Sequence, residues 1–404
     1  MSRRLDRRRF LGVIGGAAST GILLGPSRLQ LTALASSSEI VDGYGPLGPA
    51  DRHGVRLPEG FSSTLIAVSG DEVAGTGLRW HQAPDGGACF RRQFFGHSYV
   101  SNSEIGDGGG GVSVLRFDLW GNLRSADRIL SGTSRNCSGG PTPWGTWLSC
   151  EESGSSGRVW ECDPNGGPAT VRPALGSFNH EAAAVDGRRQ QIFLTEDRSD
   201  GRLYRFRSAQ WPDLRSGQLE AAVVDGDLVS WAPVGSGSPA RGAGTAAFNG
   251  GEGAVIIDDS LFFATKGDQR IWELELESGR LSVFHDCRAQ SNTALTHVDN
   301  LAVHPRTGHL FVAEDGGDMD LCVLIEGPDP ADGPVVSRMV RFEGHSGSEV
   351  AGPAFSPNGA FLYLSSQRGV DGRGMTFQIR GPFAPPLLPR PPRRSPTRES
   401  PRPV

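Results

Sequence analysis

Acidic residues recur in this sequence directly after short apolar segments, at several separate places along the chain. They are, in chain order, Glu151 and Glu152, His180 with Glu181, Glu196 and Asp197, Glu252, and Glu314 and Asp315. A single Glu-Asp pair in such a position is typical of a solvated turn. Several carboxylates that meet at one point repel one another unless cations neutralise them, and their hard oxygens suit Ca²⁺. The recurrence therefore raises the hypothesis of a metal site.

The segment NCSGGPTPWGTWLSCEES, residues 136–153, combines two cysteines, two tryptophans and two adjacent carboxylates. It suits three structures: a packed corner, a disulfide loop or the wall of a metal site. Cys150 lies in a strand-like run and is predicted to be a buried apolar residue. Cys137 lies in a Gly-rich turn, where a thiol is either half of a disulfide or a ligand that suits a transition metal. The even number of cysteines, six in all, favours the disulfide if the protein is exported.

Short β-rich segments bounded by Gly, Asp or Pro recur through residues 40–380. Several consist of an apolar strand, a tight turn and a second strand that ends in acidic residues, as in QQIFLTEDRSDGRLYRFR and NLAVHPRTGHLFVAEDGG. Helical periodicity is not sustained in this range. Repeated hairpins predict an all-β domain over residues 40–380, a β-propeller of about six to eight blades. A pair of large β-sandwiches is the alternative.

The composition is that of a globular protein with many tight turns. The chain has 404 residues, of which 57 are glycine, and a net charge of −5. Abundant, dispersed glycine is expected of an all-β fold. Because the chain has no basic surplus, we expect no nucleic-acid partner. A closed propeller leaves few free strand edges, so we expect a monomer.

Both ends of the chain are predicted to lie outside the folded domain. Residues 1–35 have a basic start, the twin-arginine pattern RRRFL at residues 7–11, and small residues at Ala33 and Ala35 for cleavage. The apolar run is interrupted and too short for a membrane span, so we expect no stable membrane insertion. The twin-arginine translocation machinery is therefore an expected partner, and the periplasm or the medium is the expected destination. Residues 381–404, rich in Pro and Arg, are predicted to form a disordered tail.

Four segments resemble the signature segments of the PhoX-type alkaline phosphatases. They are TSRNCSGGPTPWGTWLSCEES, GSFNHEAAAVD, IFLTEDRSDGRLYRF and VAGPAFSPNGAFLYLSSQ. The resemblance extends from about residue 45 to about residue 380, with the segments in the same order. It implies an exported six-bladed propeller that carries a cluster of Fe³⁺ and Ca²⁺ ions at the channel mouth. It also implies that the substrates are small phosphomonoesters.

The resemblance further implies a set of metal ligands. The matching residues are, in chain order, Cys137, Glu152, Glu181, Asp197, Glu252, Glu314 and Asp315. Cys137 corresponds to the iron-ligating cysteine, which makes residues 136–153 one wall of the metal site. The implied reaction uses no serine or threonine nucleophile, because the metal ions activate the oxygen that attacks phosphorus. In agreement, the GHSYV run at residues 96–100 lacks the closing glycine of a G-x-S-x-G nucleophile elbow.

One position departs from the family pattern. The family places an arginine two residues before the glutamate that corresponds to Glu252, where this chain has Gly250. An arginine there can hold a phosphate through two parallel hydrogen bonds, and the loss of such a donor costs several kcal/mol of transition-state stabilisation. Lys266, the lone lysine of the chain, and Arg135 are the predicted catalytic replacements for this positive charge.

Two other functions fit the same sequence. A lactonase-like propeller hydrolase with one calcium ion has similar hairpins, but it does not need Cys137. A non-catalytic exported propeller that binds metal is the other, in which case Gly250 records the loss of catalysis. Fold alone does not decide among the three functions.

Overall fold

The computed structural model describes five ranges of the chain, which do not include the two chain ends. The described ranges are residues 43–92, 96–235, 244–289, 294–326 and 333–383. The predicted leader at residues 1–35 lies outside them. The predicted tail, residues 381–404, lies outside them from residue 384 onward. Within these ranges the chain forms six antiparallel sheets. This arrangement confirms the predicted six-bladed all-β propeller, and the pair of β-sandwiches is not formed.

Two short strands precede the first complete blade, and each blade then uses consecutive strands. The first two strands are β1 (Val55–Arg56) and β2 (Ser62–Val68). Blade 1 contains β3 (Pro84–Arg91), β4 (His97–Ser103), β5 (Gly110–Phe117) and β6 (Leu123–Thr133). Blade 2 contains β7 (Asn136–Pro141), β8 (Trp147–Glu151), β9 (Val159–Cys162) and β10 (Thr170–Val171). Blade 3 contains β11 (His180–Asp186), β12 (Gln191–Glu196), β13 (Leu203–Gln210), β14 (Asp213–Asp225) and β15 (Leu228–Val234).

The remaining blades complete the ring with the help of the two N-terminal strands. Blade 4 contains β16 (Gly251–Ile257), β17 (Ser260–Thr265), β18 (Arg270–Glu275) and β19 (Leu281–Asp286). Blade 5 contains β20 (Val298–Val303), β21 (Leu310–Glu314), β22 (Asp320–Glu326), β23 (Pro334–Phe342) and, outermost, β1. Blade 6 contains β24 (Val350–Phe355), β25 (Phe361–Ser366), β26 (Met375–Arg380) and, outermost, β2. Short 3₁₀ helices at Gly154–Ser156 and Pro173–Leu175 lie in blade 2 and before blade 3.

The ring is closed by pairing the start of the domain with its end. Strand β2 pairs with β26 in antiparallel register, so that Ser62 lies opposite Arg380. Phe383 is 1% exposed and packs beside Phe61, and the Tyr44 hydroxyl donates a hydrogen bond to the Phe383 carbonyl. The packed region therefore extends through residue 383, beyond the predicted boundary at residue 380. No described helix has the length and apolar character needed to span a bilayer.

Large apolar side chains fill the spaces between neighbouring blades. Between blades 5 and 6, Phe311, Phe342 and Phe377 are at most 1% exposed and belong to one core cluster. Burying one such side chain contributes about 1.5–3 kcal/mol. The first strand of each blade in the order given above is its inner strand, which lies next to the central channel. Neighbouring inner strands approach closely: a Cβ at Gly140 would lie 1.6 Å from the Ala183 carbonyl oxygen of the next blade. Glycine is therefore required at this position.

Each of the six inner strands contains a register shift at the same place. The shifts lie between Pro84 and Gly87, Asn136 and Gly139, His180 and Ala183, Gly251 and Ala254, Val298 and Leu301, and Ala351 and Ala354. In each case two residues oppose one on the neighbouring strand, which is a β-bulge, and a bulge redirects a side chain. The first bulged residues are Asp85, Cys137, Glu181, Glu252, Asp299 and Gly352. The bulges thus place one acidic or thiol side chain from each of five blades at equivalent positions.

Candidate metal centre

Two layers of polar side chains surround the mouth of the channel. The bulge layer consists of Asp85, Cys137, Glu181, Glu252 and Asp299. The rim layer follows the second strand of each blade and consists of Glu104, Glu152, Asp197, Lys266, Asp315 and Gln367. Each rim residue donates its backbone N–H to the residue just before or at the start of the inner strand, for example Glu152 to the Arg135 carbonyl at 2.8 Å. Because the same hydrogen bond recurs in all six blades, the rim side chains encircle the bulge layer.

Three groups of side chains in these layers have ligand atoms close enough to share a cation. The thiol group is Glu104, Cys137 and Glu152, the Glu349 group is Asp85, Glu104 and Glu349, and the buried group is Glu181, Glu252 and Asp299. Within each group the ligand atoms lie within 4.8 Å of one another. Glu104 belongs to two groups, so the thiol group and the Glu349 group are adjacent. Together the groups draw ligands from blades 1 to 5 and from the residue preceding β24.

Cys137 carries a free thiol that points at carboxylates. All six cysteines of the chain are free, so the disulfide that the even cysteine count favours is not formed. Cys150 is fully buried, as its position in β8 predicts. The Cys137 Sγ lies 3.4 Å from Asp85 Oδ2, and burial together with the charges of Asp85 and Glu181 raises the pKa of the thiol well above its usual value. A nearby cation would favour the thiolate, which is the form that binds a transition metal.

The turn that contains Cys137 is fixed by Asn102 of blade 1. The Asn102 side-chain amide donates hydrogen bonds to the carbonyls of Cys137 at 3.0 Å and Ser138 at 2.7 Å. Its side-chain oxygen accepts hydrogen bonds from Trp147 Nε1 and Ser149 Oγ, both at 2.9 Å. Trp147 is 2% exposed, so it packs against the turn rather than facing the channel. This network holds the thiol in position before any ligand binds.

The buried group places three carboxyl groups together away from water. Glu181, Glu252 and Asp299 are 1%, 2% and 8% exposed. Burial, followed by the charges of neighbouring carboxylates, raises the pKa values of Glu181 and Glu252 well above their usual range and that of Asp299 to about 6. Among the described residues, Glu181 Oε1 has no hydrogen-bond partner. A buried oxygen without a donor costs stability, so this donor set fits a hard cation such as Ca²⁺.

Lys266 is the cation of the rim layer. Its ammonium lies 2.7 Å from Asp197 Oδ2 and 2.8 Å from Glu252 Oε1. Burial alone would lower the pKa of Lys266, but Glu252 and Asp197 outweigh it and raise that pKa. The side chain crosses Gly250, where an added Cβ would lie 2.9 Å from Lys266 Cγ. Lys266 therefore occupies the space above Gly250, the position at which the family pattern has an arginine.

The two acids of each doublet at the end of a second strand have different roles. The first acid of each doublet binds backbone N–H groups of its own blade: Glu151 accepts from Ser134, Glu196 from Arg202, and Glu314 from Thr296 and Asp320. The second acid, which is Glu152, Asp197 or Asp315, belongs to the rim layer. Glu314 is fully buried and is not a member of the three groups.

The predicted site residues are thus distributed as follows. Cys137 and Glu152 meet in the thiol group, and Glu181 and Glu252 meet in the buried group. Asp197 pairs with Lys266. Burial, and with it the charge of Asp315, raises the pKa values of Asp299 and Glu349. Arg135 is exposed just before β7 and adopts a left-handed backbone conformation, with φ of 49°.

Four residues of the three groups were not predicted: Asp85, Glu104, Asp299 and Glu349. Two of them lie at the bulge position that three predicted residues also occupy, which only the strand pairing shows. The bulges read PDGG, NCSG, HEAA, GEGA and VDNL, so Asp85 and Asp299 align with Cys137, Glu181 and Glu252. Glu104 follows β4 as Glu152 follows β8, but it is a single acid rather than part of a doublet. Glu349 precedes an inner strand, and the equivalent residues of the other blades are not acidic: Ala83, Arg135, Asn179, Gly250 and His297.

The sequence profile of the family described as "Alkaline phosphatase PhoX" matches residues 120–264 of the chain. This range contains both bulges that supply Cys137 and Glu181, and also Glu252 and Gly250. The resemblance predicted from the sequence motifs is therefore confirmed for this part of the chain. None of the curated protein sequences matches it.

Solved structures share the propeller fold. Pseudomonas fluorescens PhoX, in complex with vanadate, a transition state analogue, superposes with a TM-score of 0.65 at 16% identity and covers 83% of this chain and 97% of that chain. A Bacteroides thetaiotaomicron protein of unknown function has a TM-score of 0.51 at 10% identity, with 82% and 84% of the two chains covered. A Xanthomonas campestris gluconolactonase reaches 0.48 at 16% identity, with 85% and 99% covered. At these identities the first two likenesses show the fold alone.

Proposed function

We propose, from the PhoX-type resemblance of residues 120–264, that this protein is an exported, metal-dependent hydrolase of phosphomonoesters. The observation that carries the proposal is the convergence of one thiol and several carboxylates from five blades into three adjacent groups. Such a concentration of buried carboxyl groups resists ionisation unless cations are bound. The mixed thiol and oxygen donors match the Fe³⁺ and Ca²⁺ that the resemblance implies.

In this proposal the ligand chemistry assigns the metals to the groups. The thiol group, with Cys137, holds iron, because a thiolate is a soft ligand. The Glu349 group and the buried group contain only carboxylates and hold calcium. When bound, the cations supply Lewis acidity, which polarises the phosphoryl oxygens and lowers the pKa of the attacking water.

The chain's own side chains orient the ligands and bind the substrate. The Gln367 amide donates hydrogen bonds to Asp85 Oδ2 at 2.8 Å and Glu104 Oε2 at 2.9 Å, which fixes one oxygen of each carboxylate. Lys266 supplies a positive charge for the phosphoryl group in place of an arginine at Gly250, and Arg135 supplies a second charge at the exposed edge of the channel. In the overall reaction, water adds to phosphorus, the P–O ester bond breaks, and the alcohol leaves with a proton.

The proposal is tested by elemental analysis of the exported protein, with a p-nitrophenyl phosphate assay on the same sample. We expect iron and calcium together, with turnover that a chelator abolishes. Both metals without turnover of this or other phosphate monoesters would contradict the phosphatase. Calcium alone, with hydrolysis of a lactone in place of the phosphoester, would replace the proposal with the single-calcium propeller hydrolase.

Replacement of Lys266 by methionine should lower kcat/KM for p-nitrophenyl phosphate by about 100-fold, because one charged donor to the transition state is lost. Metal content should stay unchanged, and Lys266→Arg should retain part of the activity. The matched control is Arg270→Met on the same hairpin, whose guanidinium pairs with Asp286 at 2.9 Å and Asp268 at 3.4 Å. If Lys266→Met retained activity within about threefold of the control, Lys266 would have no catalytic role.

We also propose that residues 1–35 direct export through the twin-arginine machinery. Conservative replacement of Arg7 and Arg8 by lysine should leave the protein in the cytoplasm, because that pathway requires the arginine pair. Immunoblots of cytoplasmic and exported fractions measure the outcome, with Arg3→Lys and Arg4→Lys as the matched control. Export of the Arg7→Lys, Arg8→Lys variant at the wild-type level would contradict this route.

A further inference from the structure

We infer that Arg368 binds a terminal oxygen of the substrate phosphate, and that the site is therefore selective for dianionic monoesters. This inference rests on the proposed phosphatase function. Arg368 directly follows Gln367 of the rim layer. Its guanidinium lies 3.6 Å from Glu104 Oε2 and 3.6 Å from Glu349 Oε1, so it borders the Glu349 group on the blade 6 side. Through Glu104 it also borders the thiol group.

The guanidinium is held in place but has donors to spare. The Arg368 backbone N–H donates to Ser348 Oγ at 2.8 Å, which anchors the residue. Its side chain is 48% exposed, and at 3.6 Å its two ion pairs are longer than hydrogen bonds. In the described part of the chain its guanidinium donates no hydrogen bond, unlike the side chain of nearby Arg373, which pairs with Asp71. A planar group with free N–H donors is suited to bind phosphate oxygens in pairs.

The surrounding charges favour an anion at this position once cations are present. Glu104 and Glu349 attract Arg368 only weakly at 3.6 Å, and each is also a member of a group that fits a cation. Cations bound to these carboxylates would compete with Arg368 for them and leave its charge unneutralised. An ion pair that has a half-exposed arginine and no hydrogen bond contributes little to stability, so a purely structural role would leave few effects on its removal.

Arg368 and Lys266 lie on different blades, and this separation determines the substrate class. Lys266 contacts Glu252 of the buried group from blade 4, and Arg368 borders Glu349 of the Glu349 group from blade 6. Two separated cations can each bind a different terminal oxygen. A diester also offers two terminal oxygens, but a phosphomonoester dianion carries one more negative charge, so two cations attract it more strongly. The pair therefore favours monoesters over diesters.

The test compares metal-loaded wild-type protein with Arg368→Met, Arg368→Lys and the matched control Arg373→Met from the same loop. Calorimetric titration with inorganic phosphate measures ligand binding, and initial rates with p-nitrophenyl phosphate and bis-p-nitrophenyl phosphate measure selectivity. We expect Arg368→Met to weaken phosphate binding about 10- to 100-fold, since hydrogen bonds to charged groups have this strength. We expect unchanged metal content, a larger loss for the monoester than for the diester, and partial recovery in Arg368→Lys.

Two results would overturn the inference, and they are distinguishable. Active wild-type protein, with phosphate affinity of Arg368→Met within twofold of that of Arg373→Met, would remove Arg368 from the site and leave the phosphatase proposal intact. Metal-loaded wild-type protein that neither binds inorganic phosphate nor hydrolyses either ester would overturn the proposed function and this inference together.

Discussion

Replacement of Cys137 by alanine should remove iron from the protein and lower phosphatase activity at least about 1,000-fold. The thiol is the one sulfur ligand in the three groups, and the remaining members, Glu104 and Glu152, are oxygen donors. Loss of the sulfur ligand should therefore shift the thiol group toward hard cations, so calcium content should fall less than iron content. Loss of the metal that polarises the substrate removes all the transition-state stabilisation that this metal provides, which is several kcal/mol.

The matched control for this experiment is Cys150→Ala. Cys150 lies in the same blade and is fully buried, but it faces the apolar cluster that contains Leu148 and Val159. Its loss should cost some stability and leave the iron content unchanged. Metal analysis by inductively coupled plasma spectrometry and the visible absorption of an iron–thiolate bond report on the site independently of turnover. Iron content in Cys137→Ala equal to that in Cys150→Ala would show that Cys137 is not an iron ligand.

The fold was predictable from the sequence because propeller blades are local structures. Each blade is a run of consecutive hairpins, so turn residues and alternating apolar residues indicate it without long-range information. The pairing of β2 with β26 is different, since it joins residues more than 300 positions apart in the chain. Nothing in SSTLIAV distinguishes an outer strand of blade 6 from a strand of blade 1, so the closure of the ring could not be assigned.

The site was predictable only in part, for reasons of register. The doublets Glu151–Glu152, Glu196–Asp197 and Glu314–Asp315 look alike in sequence, yet in each the first acid binds backbone N–H groups and the second joins the rim layer. Successive residues of a strand point to opposite faces, so a one-residue difference decides which acid reaches the channel. The motif resemblance selected Glu152, the rim-layer member of its doublet, whereas it favoured Glu314, which binds backbone N–H groups, over Asp315.

The bulges explain why Asp85 and Asp299 escaped prediction. Without the register shift, a residue at that point of an inner strand would follow the ordinary alternation of the strand. The shift becomes visible only when the inner strand is paired with its neighbour, as between Pro84 and Gly87 against β4. Five bulges therefore build one acidic centre from residues that are distant in sequence and unremarkable in their local context.

Replacement of Glu181 by glutamine should stabilise the metal-free protein and destabilise the metal-loaded protein. Without cations, Glu181 is a buried carboxyl group beside Glu252 and Asp299. Burial, followed by the charges of Asp299 and Asp85, opposes its ionisation. Whether it stays charged or takes up a proton, the folded state at pH 7 carries a cost of up to about 3 kcal/mol relative to the unfolded chain. Glutamine has no such cost, and its amide can donate hydrogen bonds to neighbouring carboxylates.

With cations bound, the effect of Glu181→Gln on stability changes from stabilising to destabilising. A carboxylate ligand attracts the cation, whereas a neutral amide supplies only a dipole, so the variant should lose calcium affinity. Since bound metal stabilises the folded state through its affinity, the loaded variant should unfold at a lower temperature than the loaded wild type. Thermal unfolding of both proteins, with chelator and with saturating calcium and iron, measures the two signs.

The matched control is Glu220→Gln. Glu220 is 4% exposed but pairs with Arg205 and Arg207 at 2.8 Å, and it lies on the fourth strand of blade 3, outside the three groups. Its neutralisation should destabilise the protein by a similar amount with and without metal, because two arginines lose their partner. If Glu181→Gln behaved like Glu220→Gln, with a lower unfolding temperature in both conditions, the buried group would be a structural hydrogen-bonding cluster and not a cation site. A change of sign on metal loading, confined to Glu181, is what a site shaped for a cation requires.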